Sequence, residues 1–421
     1  MNTPLSRRHF LSLSGGVLVT GLTRPSQAWG AGLTVASPAR SLHPRSVPAA
    51  TTADRVLILV QLNGGNDGLN TVVPSAGAYH DARPTLGLTD SDVVDAGMSD
   101  YAFHPALSPL VARMRAGEMA AVHGIGFAEP NRSHFVAMDR WARADRMSEP
   151  LGWLGRWADP LAASLGPLDT VALSGGAPVL VGERHQPAVI LTPEGFSLPP
   201  TVPADVLRSM ATPADDDDLF AAVQGSYLTA IGAVDAFAAI VSGESGDAGD
   251  AGDDPPSDAA GGITSSLGVA AKIVAGSPST RLIVVNAGGF DTHANQLADH
   301  RELLADFAAG VDRLLTDLAA TGNASRVLTV AISEFGRRVA ENASGGTDHG
   351  AGGLAMAFGP MVHGGLYGGV DFATLLDGDV PPVVPTAALL TVCAGWIGAD
   401  PATLLGAADA SLATLVRTPS P

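Results

Sequence analysis

The sequence predicts an α/β protein: a three-layer sandwich whose mostly parallel central sheet carries helices on both faces. Two observations predict it. Near-continuous apolar runs recur along the chain, each ending in glycine or a polar loop: "DRVLILVQLNGG" from residue 54, "MAAVHGIG" from 119, "STRLIVVNAGG" from 279 and "SRVLTVAISEFG" from 325. Strands buried on both faces read this way, without polar alternation. Between the last two runs Leu303, Leu304, Phe307, Val311, Leu314, Leu315 and Leu318 keep the three–four spacing of a helix with one buried stripe. Strand, long helix, strand is a βαβ unit, which makes the two strands parallel.

Taken in order, the chain opens with an export leader over residues 1–28. Arg7 and Arg8 precede Phe10 and Leu11, a weakly apolar stretch follows, and small residues at Ser26 and Ala28 suit cleavage after Ala28. That is a twin-arginine signal, too short and too glycine-rich for a bilayer span, and its reader would be the twin-arginine translocase. The expected location is therefore periplasmic or extracellular. Residues 29–53, rich in Ala, Pro, Ser and Thr, read as a spacer, and 54–400 as a single domain. Within it, 213–219 and 242–262 are acidic and lack apolar periodicity, as solvated insertions do. Residues 150–212 hold short strands and many prolines, and 401–421 a helix and tail. No later stretch is long enough for a transmembrane helix.

Composition excludes some classes. Hydrophobic residues make up 46% of the 421, enough for a sizeable core. With 24 basic against 42 acidic residues and a net charge of -18, counterion-release binding to nucleic acid is excluded. The single cysteine, Cys393, rules out an internal disulfide and sits in an apolar helical stretch.

Ligand sites in parallel α/β sheets lie beyond the carboxyl ends of the strands. Polar residues gather there: Asn63 and Asp67 after the first run, His123 and then Ser133 and His134 after the second, Asp291 and His293 after the third, Glu334 and Arg337 after the fourth. The glycine run "GGTDHGAGG" follows with Asp348 and His349. Carboxylate and imidazole together suit a divalent ion, Zn, Mn or Fe above all, with Mg or Ca as alternatives. Neighbours in extended backbone point to opposite sides, so Asp348 and His349 are placed to flank two ions, while Asp291 and His293 point the same way and serve one. Ser133 is then the nucleophile, and Arg337 holds the anionic oxygens of a small ester. Each has a structural alternative: Asp291 or Ser133 as helix caps, Glu334 and Arg337 paired with each other. His104 before Pro105 reads as structural, and His363 as a further candidate ligand.

The motifs "LVQLNGGNDGLNTVVP", "NRSHFVAMDRW", "GFDTHANQ", "SEFGRR" and "GTDHGAGG" resemble, in order and spacing, the family known as domain of unknown function 1501, over residues 54 to 400. That family is similar to the alkaline phosphatase and sulfatase superfamily. The resemblance implies an alkaline-phosphatase-like sandwich and metal-dependent hydrolysis of phosphate or sulfate esters with one or two bound ions. It places Asp348 and His349 on the superfamily's Asp-His metal pair, Asp291 and His293 near its other ligands, and Ser133 nearest its nucleophile. The sequence departs where Asn63 occupies the place of a first-strand aspartate, leaving Asp67 to reach in. That departure supports a rival reading, a non-catalytic exported binding or surface protein that keeps the fold. A dinucleotide enzyme is excluded, because "NGGNDG" lacks the G-x-G-x-x-G turn.

Overall fold

The computed structural model describes residues 54–193, 195–198, 203–211, 218–242 and 262–417. The leader at 1–28, the spacer at 29–53 and residues 243–261 of the acidic insertion lie outside the described residues. Of the other acidic stretch only Asp218 and Leu219 are described, and they open a helix, Asp218–Ser242.

Strand β1 (Val56–Leu62) lies in the middle of a nine-stranded sheet. It pairs in parallel with β7 (Leu282–Ala287) on one side and β8 (Val327–Ile332) on the other, Val60 standing between Val285 and Ala331. Outward from β7 run β5 (Thr170–Leu173) and β6 (Ala188–Ile190), both parallel. Outward from β8 comes β9 (Gly353–Phe358), antiparallel to β8 and to the next strand, β4 (Met119–Gly126). Strands β10 (Gly365–Gly368) and β11 (Val384–Pro385) both pair in parallel with β4. A separate ribbon joins β2 (Val72–Pro74) to β3 (Tyr101–Phe103). Among the described strands only β9 runs against the rest of the main sheet.

Burial follows the β pleat. Val56, Ile58, Val60 and Leu62 of β1 join one hydrophobic cluster, Leu57 and Leu59 the other, and all are nearly inaccessible. A strand covered on both faces has no polar face to alternate with, which is why the run is continuously apolar. The helices Ile263–Gly276 and Gln296–Ala320 cover the first face. In the second of these Leu304, Phe307, Val311, Leu314, Leu315 and Leu318 are buried, and Leu303 is half-buried. The helices His134–Arg143, Trp153–Ala158 and Thr386–Trp396 cover the other face, and Cys393 is buried there, its thiol pushed up to about 12 by burial. The fold is thus the three-layer α/β sandwich the sequence predicts. Among the described residues no helix is long and apolar enough to cross a membrane.

The topology decides what meets at one rim. The carboxyl ends of β1, β7, β8 and β4 face the same way. Because β9 is reversed, its amino end lies at that rim too, so the whole segment 333–352 stays there. One expectation fails: His123 is inside β4, fully buried, with Nε2 2.8 Å from the Val72 carbonyl and burial pushing it down to about 4. It is part of the core and not of the rim.

Candidate metal centre

Three imidazoles and a carboxylate from three segments converge at this rim. His134 begins the His134–Arg143 helix. Asn131 Oδ1 accepts the Ser133 N–H at 2.8 Å, turning the chain so that Ser133 takes the extended conformation of an N-cap. Ala137 and Trp141, three and seven residues on, bury the same helix face, and Trp141 packs edge-on to Phe127. His134 is thereby carried to the sheet edge. Asp291 and His293 follow β7 in tight backbone turns, in which Thr292 N–H reaches the Phe290 carbonyl and His293 N–H the Asp291 carbonyl. Asn295 occupies the N-cap position of the next helix, so Asp291 is not spent as a cap.

The contacts are close. His349 Nε2 lies 3.1 Å from His134 Nε2, 2.9 Å from His293 Nε2 and 3.1 Å from Asp291 Oδ1. His293 Nε2 is 3.0 Å from the same oxygen. His134, Asp291 and His349 offer donor atoms that all lie within 4.8 Å of one another, and His293 adjoins them. Each ring also uses its other nitrogen. His134 Nδ1 is 3.3 Å from Glu334 Oε1, His293 Nδ1 is 3.2 Å from Asp348 Oδ1, and His349 Nδ1 is 2.8 Å from the Arg132 carbonyl. Those three partners can only accept, so a neutral ring that donates to them through Nδ1 turns an Nε2 lone pair inward. Three lone pairs and a carboxylate facing one another repel, and a cation between them removes the repulsion. Ligands at the usual Zn–N distance stand about 3.3 Å apart in a tetrahedral set, a few tenths of an ångström wider than found. Imidazoles held through the second nitrogen by carboxylate or carbonyl are how proteins orient metal ligands.

The surroundings hold these groups in place. Glu334 is buried and accepts from the Gly64 and Gly65 amides at 2.7 and 2.8 Å. A side chain on Gly64, at φ 125°, would meet the Asp291 amide nitrogen at 2.2 Å, so only glycine lets the two loops touch. Gly346 answers why the Asp-His pair sits among glycines: a Cβ there would lie 2.2 Å from the His293 carbonyl carbon. Phe335 lies behind His134 and His349, ring centroids 5.0 and 4.7 Å away. Burial alone would raise the Asp291 carboxyl, but the Arg337 hydrogen bond and charge, with the His349 and His293 rings beside it, hold it down at about 2. It is a carboxylate at any working pH.

Four of the residues singled out in the sequence do other work. Arg337 is fully buried and donates to the Gly65, Thr347 and Phe290 carbonyls at 2.6, 2.8 and 3.0 Å, to the Gly64 carbonyl, and to Asp291 at 2.7 Å. With its donors taken, it positions Asp291 and has no free edge for an ester's oxygens. Nor does it pair with Glu334; the two clamp the same loop, one on its carbonyls and one on its amides. Asp67 is buried, caps the short helix Gly68–Thr71, pairs with Arg83 at 2.6 Å and accepts from Gln296. Gln296 Oε1 in turn accepts the Thr347 hydroxyl at 2.7 Å, so Asp67 braces the Asp-His loop from behind. Asn63 Nδ2 is directed to Asn286 Oδ1 at 3.5 Å, away from the imidazoles. Asp348 reaches His293 Nδ1 and Asn342 Nδ2, each at 3.2 Å, one step behind the convergent atoms. The Asp-His pair thus serves one centre from two depths. His363 is exposed and outside the cluster, and His104 caps the 3-10 turn Pro105–Leu110 through Nδ1. Ser133 is exposed, makes no side-chain cap bond and directly precedes His134. The sequence reading missed His134 as a ligand; its adjacency to Ser133, opening a helix after β4, was the available signal.

Residues 251–409 match the family model described as "Protein of unknown function (DUF1501)". That span contains Asp291, His293, Asp348 and His349 but not His134. No curated protein matches the chain. Among solved structures, the C-terminal periplasmic domain of EcEptC from Escherichia coli, in complex with Zn, is 10% identical, with 73% of each chain covered and a TM-score of 0.34. The lipoteichoic acid synthase LtaP from Listeria monocytogenes is 9% identical, covering 75% of this chain and 68% of that one, TM-score 0.34. The sulfatase PsFucS1 from Pseudoalteromonas sp. is 11% identical, covering 76% and 65%, TM-score 0.33.

Proposed function

We propose that His134, Asp291 and His349, with His293 adjoining, hold a divalent metal ion, and that the protein uses it to hydrolyse phosphate or sulfate esters after export through the twin-arginine route. The observation that carries this reading is the convergence of three imidazole Nε2 atoms whose Nδ1 atoms are all committed to acceptors. A ligand set rich in imidazole favours Zn, Mn or Fe over Mg and Ca. Bound there, the ion supplies Lewis-acid polarisation of an ester oxygen.

The chain's own groups do the rest. Asp291, kept ionised by Arg337, would offset part of the cation's charge and fix its place. Glu334, Asp348 and the Arg132 carbonyl hold the rings in the tautomer that ligates. Ser133, exposed beside His134, is the proposed nucleophile. Arg337 contributes through Asp291 alone. A second reading, a non-catalytic binding protein on the same fold, is favoured by one observation: Asp67 and Arg337, the groups that would have widened the metal set and gripped an anion, are both consumed structurally.

Metal analysis of the purified and reloaded protein, with a panel of aryl phosphates and sulfates, tests both readings. The hydrolase reading expects metal retention, turnover lost in His349→Ala, and turnover lost in Ser133→Ala with metal retained. Metal without turnover of any ester supports the binding protein, and neither metal nor turnover ends the hydrolase reading.

A further inference from the structure

A cleft of about 400 Å3 lies beside the metal centre, within the range of about 300–1,000 Å3 usual for small-molecule sites. One wall is the Asn131–Arg132 segment leading into His134, the other the turn Leu376–Asp379. Arg132 belongs to both places: its carbonyl accepts from His349 Nδ1 at 2.8 Å, and its side chain lines the cleft. Ala351, two residues past His349, lines it as well.

The second wall is built in advance. Leu376 and Asp379 exchange both backbone hydrogen bonds at 2.9 Å, and the two central residues, Asp377 and Gly378, take φ of 51° and 80°. Both are left-handed, as a two-residue hairpin turn of this kind requires. Arg338 donates to the Asp377 carbonyl and Val339 N–H to the Gly378 carbonyl at 3.2 Å, docking the turn on the segment that carries Arg337. Arg132 closes across the cleft onto the buried Asp379.

The chemistry of the walls selects a ligand. Arg132 pairs with Asp379, and Arg338, behind the turn and outside the lining, stands 3.6 Å from the other Asp379 oxygen, so these ion pairs leave little net charge to attract a second anion or a cation. The Asn131 amide, the Arg132 guanidinium and the exposed Asp377 carboxylate set donors and acceptors side by side. A purely apolar ligand would strand them without partners. Leu376, half exposed at 49%, offers an apolar face next to them. Closely spaced donors and acceptors with an apolar platform fit the hydroxyls and C–H face of a neutral polyol ring.

We infer that this cleft binds the sugar portion of the substrate, which makes the natural substrate a phosphate or sulfate ester of a carbohydrate. The inference rests on the metal-dependent ester reading for the reacting group, and on the cleft alone for the sugar. The metal-loaded full chain is assayed with monosaccharide phosphates and sulfates against nitrophenyl phosphate and sulfate, and by saturation-transfer NMR with neutral mono- and disaccharides. Sugar esters are expected to exceed nitrophenyl esters in kcat/KM. Asp377→Asn and Leu376→Ser, with metal content and Tm retained, are expected to reduce that preference. For Asp377→Asn the reduction is about tenfold, the worth of a hydrogen bond to a charged group. Hydrolysis of nitrophenyl esters with no preference for sugar esters, and no effect of either variant on their ratio, overturns the sugar assignment and leaves the hydrolase standing. If no ester is turned over the hydrolase reading falls, and the NMR decides the cleft: transfer to a sugar that Asp377→Asn abolishes sustains it, and no transfer overturns it.

Discussion

Replacing Asp348 by alanine separates a carboxylate that ligates from one that orients. Its Oδ1 lies 3.2 Å from His293 Nδ1, and no other contact links it to the convergent Nε2 atoms. Loss of a group that orients a ligand costs about 10- to 100-fold in metal affinity. The Asp348 side chain is 59% exposed, so water takes over the acceptor role, and the expected loss sits at the low end, about tenfold or 1.4 kcal/mol. Glu334 is the internal standard. Its side chain is 3% exposed, and its removal also strips the Gly64 and Gly65 amides of their acceptor, so Glu334→Ala belongs near the high end, about 100-fold. His349→Ala removes the atom that touches every other donor and is expected to abolish binding. Calorimetric titration of the apo-protein with Zn, in competition with a chelator of known affinity, ranks the three. Stoichiometry should stay unchanged in Asp348→Ala at saturating metal. A loss in Asp348→Ala as complete as in His349→Ala makes Asp348 a ligand and refutes the arrangement described here.

Arg337→Met keeps the side chain's length but leaves four loop carbonyls and Asp291 without their donor, a destabilisation of about 3–5 kcal/mol by the measure of other broken buried pairs, read from chemical denaturation. Gly346→Ala drives a methyl into the His293 backbone and is expected to cost about 1–3 kcal/mol and to weaken metal binding together with stability. Acid should destabilise the fold well before the carboxylates titrate. His123 and His300 are buried, and burial holds both at about 4, while unfolded histidine titrates near 6.5. Between those values the unfolded chain binds protons that the folded chain refuses, so stability falls as pH drops from about 6.5 to 4, by on the order of 3 kcal/mol per histidine, and is unaffected by them above that window. Denaturation midpoints across pH check this, and His123→Gln should flatten the slope.

The strands of the central sheet were legible because burial on both faces leaves an unbroken apolar signature, and β1, β4, β7 and β8 all carry it. The long helix was legible from its stripe. Strand β9, "GLAMAF", was missed: it is apolar enough, but nothing local distinguishes a reversed strand from the glycine loop before it. At the site, residue types and loops were legible, and His293, Asp291 and His349 do meet. The roles were not. Asp67, Asp348 and Arg337 carry the charges a metal or an anion wants, yet whether such a group faces the ion or its neighbours depends on partners such as Arg83 or the Gly64 carbonyl, hundreds of residues away in some cases. The same holds for His134, whose Nδ1 partner, Glu334, stands 200 residues along the chain.

That division of labour has a physical reason. Strand-end loops on a parallel sheet are held by few backbone ladders, so their own peptide groups need partners, and buried charged side chains supply them: Glu334 for the amides of the first loop, Arg337 for its carbonyls. Once those ions are committed, the groups left to face a ligand are the imidazoles, each tied by Nδ1 to a different segment, Glu334 after β8, Asp348 before β9, Arg132 after β4. The three lone pairs converge only when all these segments are closed. A cation held between them would stabilise the closed rim over any state in which one loop has opened, so on the proposed reading metal binding and order at the rim are linked in the thermodynamic sense.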